Sequence, residues 1–335
     1  MTSRRRPSRR AAPARRAAPP RAAATRTAEA PAPTLRSWLF VPGDSERKQE
    51  KAVAGASDAV ILDLEDSVAL PQLPAARRRV GELLRPRPAA RGPQLWVRVN
   101  APSSDLLHED LEAIFALGAP RGIVLPKVSS AAEIAPVARH LSVLERRLGI
   151  EPGHTRLLII ATETPAGLLA LAQYPAALGH VPGLRQRIAG LTWGAEDLST
   201  ALGALTQRDA SGALTFTFQL ARTQCLLAAA ALGAQAVDGV CTDFRDAARL
   251  QHELDAARRD GFSGKLAIHP DQIAAINAAF APTEAEREHA RRVVAAFAGV
   301  PGAGVVSLDG RMIDRPHLLQ AQRILAVAHR EPDGT

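Results

Sequence analysis

Cysteine is scarce: Cys225 and Cys241 are the two in 335 residues. Their separation matches no metal or redox motif. So few thiols in a chain this long point to a reducing compartment, and both read as structural filler. Long hydrophobic runs are missing as well. Although 46% of the residues are hydrophobic, no stretch approaches the roughly 18 to 20 apolar residues of a membrane span. A soluble protein with no membrane partner is expected. The N-terminal segment lacks an apolar h-region, which argues against secretion and for a cytoplasmic location. No glycine-rich phosphate fingerprint follows the first β-like run, which argues against an open, doubly wound dinucleotide-binding sheet.

The charge that is present sits at one end. The formal net charge is +8. Nine of the 42 basic residues, all Arg, and one of the 34 acidic residues, Glu29, fall in residues 1–33, so the remaining 302 residues carry 33 of each sign. A neutral body needs no polyanionic partner, and nucleic acid is not expected as its ligand. The tail itself is Ala, Arg and Pro with little able to form a core, and residues 1–34 are expected to be disordered. A solvated tail, an organelle transit peptide and an arm that touches nucleic acid share this composition, and composition does not rank them.

From Leu35 onward, short β-rich runs alternate with helical patterns. The runs are 37–41, 59–64, 95–100, 122–127, 157–163, 188–194, 236–240 and 265–270. Between them, Leu107, Leu111, Ile114 and Phe115 form one helical stripe ahead of Gly118, which suits a helix C-terminus. Ser130 and Glu133 have capping-box spacing ahead of Ile134, Val137, Leu141, Leu144 and Leu148 on one face. Eight strands alternating with helices predict a (β/α)₈ barrel over residues 35–281, whose usual size is about 250 residues. Residues 282–335 are surplus to closure: a helix opened by Thr283 and Glu286, a glycine-rich stretch at 302–316 and a last helix. Such an extension suits a lid or a subunit contact.

In a barrel enzyme the reacting groups stand at the C-terminal ends of the strands. Reading those ends gives Asp63, Glu65, Asp66, Arg98, Asn100, Lys127, Glu163, Glu196, Asp197 and His269. Carboxylates converging on one mouth repel one another unless a cation lies among them, and a hard divalent ion with oxygen ligands resolves the conflict. Mg²⁺ or Mn²⁺ fits that donor set, whereas zinc would want His or Cys. Asp63, Glu65 and Asp66 could instead cap the following loop. Lys127 reads either as a Schiff-base nucleophile or as an ion-pair partner of the carboxylates. Arg47 and Lys51, four apart on the first helix, form either a solvated face or a phosphate-holding pair beside the mouth.

Eight blocks in order, RSWLFVPGDSERKQEKA, DAVILDLEDSV, VRVN, GIVLPKV, TETPAG, GAEDL, GFSGKLAIHP and SLDGRMID, span residues 36–314. Together they resemble the citrate lyase β-subunit-like family, a branch of the HpcH/HpaI aldolase superfamily that includes malyl-CoA and citramalyl-CoA lyases. The resemblance implies a Mg²⁺-dependent barrel that cleaves or forms short 3-hydroxyacyl-CoA thioesters, with a CoA thioester and a 2-keto acid as substrates. A homotrimer or a dimer of trimers is implied too. Carried over to this sequence, Glu163 and Asp197 would hold the metal and Arg98 would grip the keto-acid carboxylate. Phe40, Arg47, Lys51, Ile268 and His269 would contact CoA or substrate. Asp314 would be the catalytic carboxylate, delivered by a neighbouring subunit's C-terminal lid. Phe40 stands where some members have Tyr, and Arg47 where some have Lys. The same resemblance leaves open a thioesterase of (3S)-malyl-CoA and a β subunit acting on an acyl-carrier thioester. A chain extending to Asp314 argues for the self-sufficient enzyme, because the carrier branch tends to be shorter there.

Overall fold

The computed structural model describes residues 34–86, 92–300 and 302–328. Residues 1–33, and with them the expectation of a disordered tail, lie outside the described residues. Among the described residues, eight parallel strands close into a barrel in sequence order: β1 (Ser37–Pro42), β2 (Ala59–Asp63), β3 (Gln94–Arg98), β4 (Gly122–Leu125), β5 (Arg156–Ile160), β6 (Ile188–Thr192), β7 (Gln235–Asp238) and β8 (Gly264–Ala267). β8 returns to β1, pairing Lys265 with Ser37 and Leu266 with Trp38. Helices run between the strands and cover the outer face of the closed sheet while the inner face packs against itself, so the strands are buried on both faces and read as near-continuous apolar runs. Each predicted run contributes one strand, within a residue or two at its start.

Alternation along the strands divides the core in two. Ala59 and Ile61 of β2, Trp38 of β1 and Trp96 of β3 fill the barrel interior. Val60, Leu62 and Val97 face the surrounding helices. The indoles of Trp38 and Trp96 meet edge to face at 4.8 Å, and a Cβ on Gly122 would lie 2.1 Å from the Trp96 ring. Glycine at the head of β4 is therefore what lets an indole fill the lower barrel. The interior row extends upward with a period of two, so Phe40, Asp63 and Arg98 follow Trp38, Ile61 and Trp96 and reach the mouth.

The helix Ile134–Arg147 buries Ile134, Val137, Leu141 and Leu144 as expected, but Leu148 is its C-cap and is exposed. The capping box expected at Ser130 does not form. Glu133 instead accepts from the backbone N–H of Ser129 at 2.9 Å, and a 3₁₀ turn at Ala131–Glu133 precedes the helix. Gly118 is not in a left-handed conformation; it is glycine because a Cβ there would lie 2.1 Å from the carbonyl oxygen of Leu84. The capping box of Thr283 and Glu286 is complete and opens the helix Glu284–Ala298. Beyond it, the glycine-rich stretch forms a hairpin of β9 (Val305–Leu308) and β10 (Arg311–Asp314), followed by the helix Arg315–Ala328. Ala290, Val293, Ile313 and Ala321 give this extension a small core of its own.

Candidate active site

The strand ends bring a network of charges together at the mouth. Asp63, almost fully buried, takes the Arg98 guanidinium in a two-point clamp, Nε to Oδ1 at 2.6 Å and Nη2 to Oδ2 at 2.7 Å. The same carboxylate accepts the backbone N–H groups of Glu65 at 3.0 Å and Ser67 at 3.2 Å. Asp63 thus caps the loop, as its residue type allowed, and orients an arginine as well. Burial pushes its pKa up, but the Arg98 contacts outweigh that and hold it below the ordinary carboxylate value. The Arg98 guanidinium lies over the Phe40 ring, 4.9 Å from its centroid. Its planar fork is fixed by these partners before any ligand arrives.

Lys127 follows β4 in a left-handed backbone conformation, φ 52°. Its ammonium lies 2.7 Å from Glu65, 2.9 Å from Asp66 and 3.4 Å from Asp197. Burial would lower the lysine's pKa, but the hydrogen bonds it donates to Glu65 and Asp66 raise it above its ordinary value. That is the opposite of what a nucleophilic amine requires, and the ion-pair reading of Lys127 is the one its surroundings support. Its backbone N–H donates to Glu163 Oε2 at 2.5 Å.

Glu163 is only 4% exposed. Burial pushes its pKa up to about 8; the charges of Glu65 and Asp197 add to the shift, and the Lys127 N–H and Arg98 oppose it. Burial likewise pushes Glu65 up to about 7, against the pull of Arg98 and Lys127. Arg98 Nη1 lies 3.0 Å from Glu65 Oε2, yet that buried oxygen has no partner in hydrogen-bonding geometry among the described residues. The mouth therefore holds more carboxylate than its own cations neutralise. Asp197 is in the first turn of the helix Ala195–Leu202 after β6, and Glu163 lies three residues beyond the end of β5. Two oxygen donors on adjacent strand ends, one of them buried and short of a counter-charge, fit a hard divalent cation.

Of these groups, Asp63, Asp66, Arg98, Glu163 and Asp197 line one cavity of about 570 Å³. Arg98, Glu163 and Asp197 form its floor, and Phe40, Arg47, Lys51, Ile268 and His269 its walls and rim. Arg47 and Lys51 are exposed on the helix Glu46–Val53. His269 stacks on Phe244 with ring centroids 4.4 Å apart, and its Nδ1 accepts from the backbone N–H of Asp271. Eight of the nine residues that the family resemblance assigns to the site thus meet in one place. The ninth, Asp314, does not line this cavity. It ends β10 and pairs with His317 Nδ1 at 2.5 Å.

Two supporting residues escaped the sequence reading. Gln49 is buried on the first helix, and its amide donates to the carbonyls of Pro42 at 3.1 Å and Gly43 at 2.9 Å, fixing the turn that presents Arg47. Gly194 lies against Glu163: a Cβ there would be 2.6 Å from Glu163 Cγ. The GAEDL block contains that glycine, but only a packed Glu163 reveals what it is for.

A charged, carboxylate-rich mouth on a (β/α)₈ barrel defines a class of metal-assisted enzymes. Residues 36–270 match the family described as HpcH/HpaI aldolase/citrate lyase. The chain belongs to this family. It is 37% identical to citrate lyase subunit beta of Escherichia coli over 297 residues, covering 88% of this chain and 93% of that protein. It is 36% identical to (3S)-malyl-CoA thioesterase of Cereibacter sphaeroides over 296 residues, covering 88% and 94%. Among solved structures, it resembles CitE of Mycobacterium tuberculosis in complex with magnesium, acetoacetate and coenzyme A. The TM-score is 0.69 at 35% identity, over 89% of this chain and 99% of that one. The alignments to the E. coli subunit and to the thioesterase cover the same share of this chain.

Proposed function

We propose that this chain is a Mg²⁺-dependent CoA-ester lyase that cleaves or forms a carbon–carbon bond in a short 3-hydroxyacyl-CoA such as malyl-CoA or citramalyl-CoA. The products of cleavage are acetyl-CoA and a 2-keto acid. One observation carries this reading: Glu163, Asp197 and Arg98 face one cavity, two carboxylates, one of them buried and short of a counter-charge, beside a preoriented guanidinium. The magnesium, acetoacetate and coenzyme A bound to the tuberculosis relative support it.

Glu163 and Asp197 would hold the ion, whose contribution is Lewis-acid polarisation of the 2-oxygen. Arg98, with Asp63 on one edge of its fork, keeps N–H donors for the keto-acid carboxylate and fixes its orientation. Phe40 walls the same guanidinium off from water. Arg47 and Lys51 on the rim offer positive charge to the CoA phosphates, and Ile268 and His269 line the path of the thioester arm. Asp314 of the partner subunit would move a proton at the acetyl carbon, giving it to the enolate on cleavage and taking it on condensation. A homotrimer or a dimer of trimers in the cytoplasm is the assembly that supplies it.

The thioesterase relatives favour a second reading, in which water attacks the thioester carbonyl of the same bound substrate. Mass analysis of products from (S)-malyl-CoA and (S)-citramalyl-CoA separates the two. Acetyl-CoA with glyoxylate or pyruvate supports the lyase. Free CoA with an intact hydroxy acid replaces it with the thioesterase. Turnover confined to an acyl-carrier thioester moves the chain to the citrate lyase β subunit.

A further inference from the structure

On the outside of the barrel, away from the mouth, His108, Glu112 and His140 form the one group of three metal-ligating side chains that converges among the described residues. Their ligand atoms all lie within 4.8 Å of one another. His108 and Glu112 are four apart on the helix Leu106–Phe115 and share its face. His140 comes from the next helix, Ile134–Arg147. The imidazoles meet edge to face with centroids 4.8 Å apart. His140 Nε2 is buried and points to Glu112 Oε1 at 3.3 Å, without hydrogen-bonding geometry to any described partner. The other oxygen of Glu112 accepts from Arg147 Nη1 at 2.7 Å.

From this arrangement we infer that His108, Glu112 and His140 bind a divalent transition metal, Zn²⁺ by chemical class, and tie the helix after β3 to the helix after β4. Two imidazoles and a carboxylate are the donor set of three-ligand zinc sites, which leave a fourth position to water or a small ligand. They suit zinc over magnesium, and the all-oxygen mouth has the reverse preference. Tetrahedral zinc with bonds near 2.0 to 2.1 Å spaces its ligand atoms about 3.3 Å apart. Side-chain rotation of the exposed His108 closes the difference. His140 is the anchor: its inward nitrogen lacks a well-aligned partner among the described residues. Glu112 binds through Oε1 while Arg147 keeps Oε2, the outer contact that orients a ligating carboxylate. A cavity of about 420 Å³ lined by Leu107, Leu111, Pro136 and Val137 adjoins the two histidines and receives the fourth ligand.

The test is zinc uptake by the full-length chain with Mg²⁺ in excess, so that the mouth is occupied. It is read as bound metal after gel filtration and as the visible spectrum of the Co²⁺ form. The expected result is about one zinc per chain with a tetrahedral cobalt spectrum. His108→Gln, an exposed position that leaves the fold intact, abolishes both. Arg147→Ala weakens zinc binding by about tenfold, and Glu163→Gln leaves it unchanged. Absence of zinc uptake by the wild-type chain overturns the inference. So does uptake that survives His108→Gln, or that is lost in Glu163→Gln instead.

Discussion

Arg98 carries two duties that a lysine cannot combine. Its fork binds Asp63 at two points, and in the proposed function its further N–H groups hold a substrate carboxylate. A lysine ammonium keeps the charge but loses the planar geometry. Arg98→Lys is expected to raise KM for the keto acid by about tenfold or more, the scale of a lost charge-assisted hydrogen bond. Steady-state kinetics of the condensation direction measure it, and an unchanged KM contradicts the assignment. Gly194 is a positioning residue: Gly194→Ala should push Glu163 aside and weaken Mg²⁺ binding by about tenfold, with activity recovering at saturating Mg²⁺. Calorimetric Mg²⁺ titration checks this, and wild-type affinity in the variant counts against it. At this scale the sequence was readable where barrel topology fixes a position, as with Glu163, Asp197 and Arg98, which the strand ends bring to one cavity. It was less readable where a residue serves another. Asp63 could be read as a loop cap but not as the clamp on Arg98, because that contact joins β2 to β3 across 35 positions. Gln49 and Gly194 carried no signal without their spatial neighbours.

Elements were more legible than residues. All eight strands appear where apolar, β-branched runs predicted them, because burial on both faces leaves no room for polar interruption. Helix ends were harder, since a capping motif is a choice among nearby backbone groups. Glu133 takes the N–H of Ser129 where sequence spacing suggested Ser130, and Gly118 answers to the crowding of Leu84 where a left-handed turn was expected. Gly122 makes a test at this scale. Gly122→Val would drive a side chain into the Trp96 ring. Overpacking of this kind costs about 1 to 3 kcal/mol. Chemical denaturation should show a lower midpoint at an unchanged slope, and a variant as stable as wild type would contradict the interior packing described here.

At the scale of the whole molecule, one chain holds eight of its nine candidate residues in a single cavity and carries the ninth elsewhere. The sequence motif around Asp314 implied delivery from a second subunit, but no pattern within one chain states the geometry of an assembly. Mixing makes the point testable. Asp314→Asn and Glu163→Gln chains, each inactive alone, should regain activity when dissociated and reassembled together. About a quarter of the sites then combine an intact mouth with an intact lid, if assembly is random. Failure to recover any activity, with mixed oligomers demonstrated, contradicts a shared site. The central claim, that a cation held by Glu163 and Asp197 drives carbon–carbon cleavage of a CoA ester, is tested most directly by acetyl-CoA release from (S)-malyl-CoA and (S)-citramalyl-CoA. The comparison is wild type against Glu163→Gln, each with Mg²⁺ and with EDTA. The account predicts release by the wild type that EDTA abolishes and Mg²⁺ restores, and none by the variant. Release that persists in EDTA, or in Glu163→Gln, would contradict it.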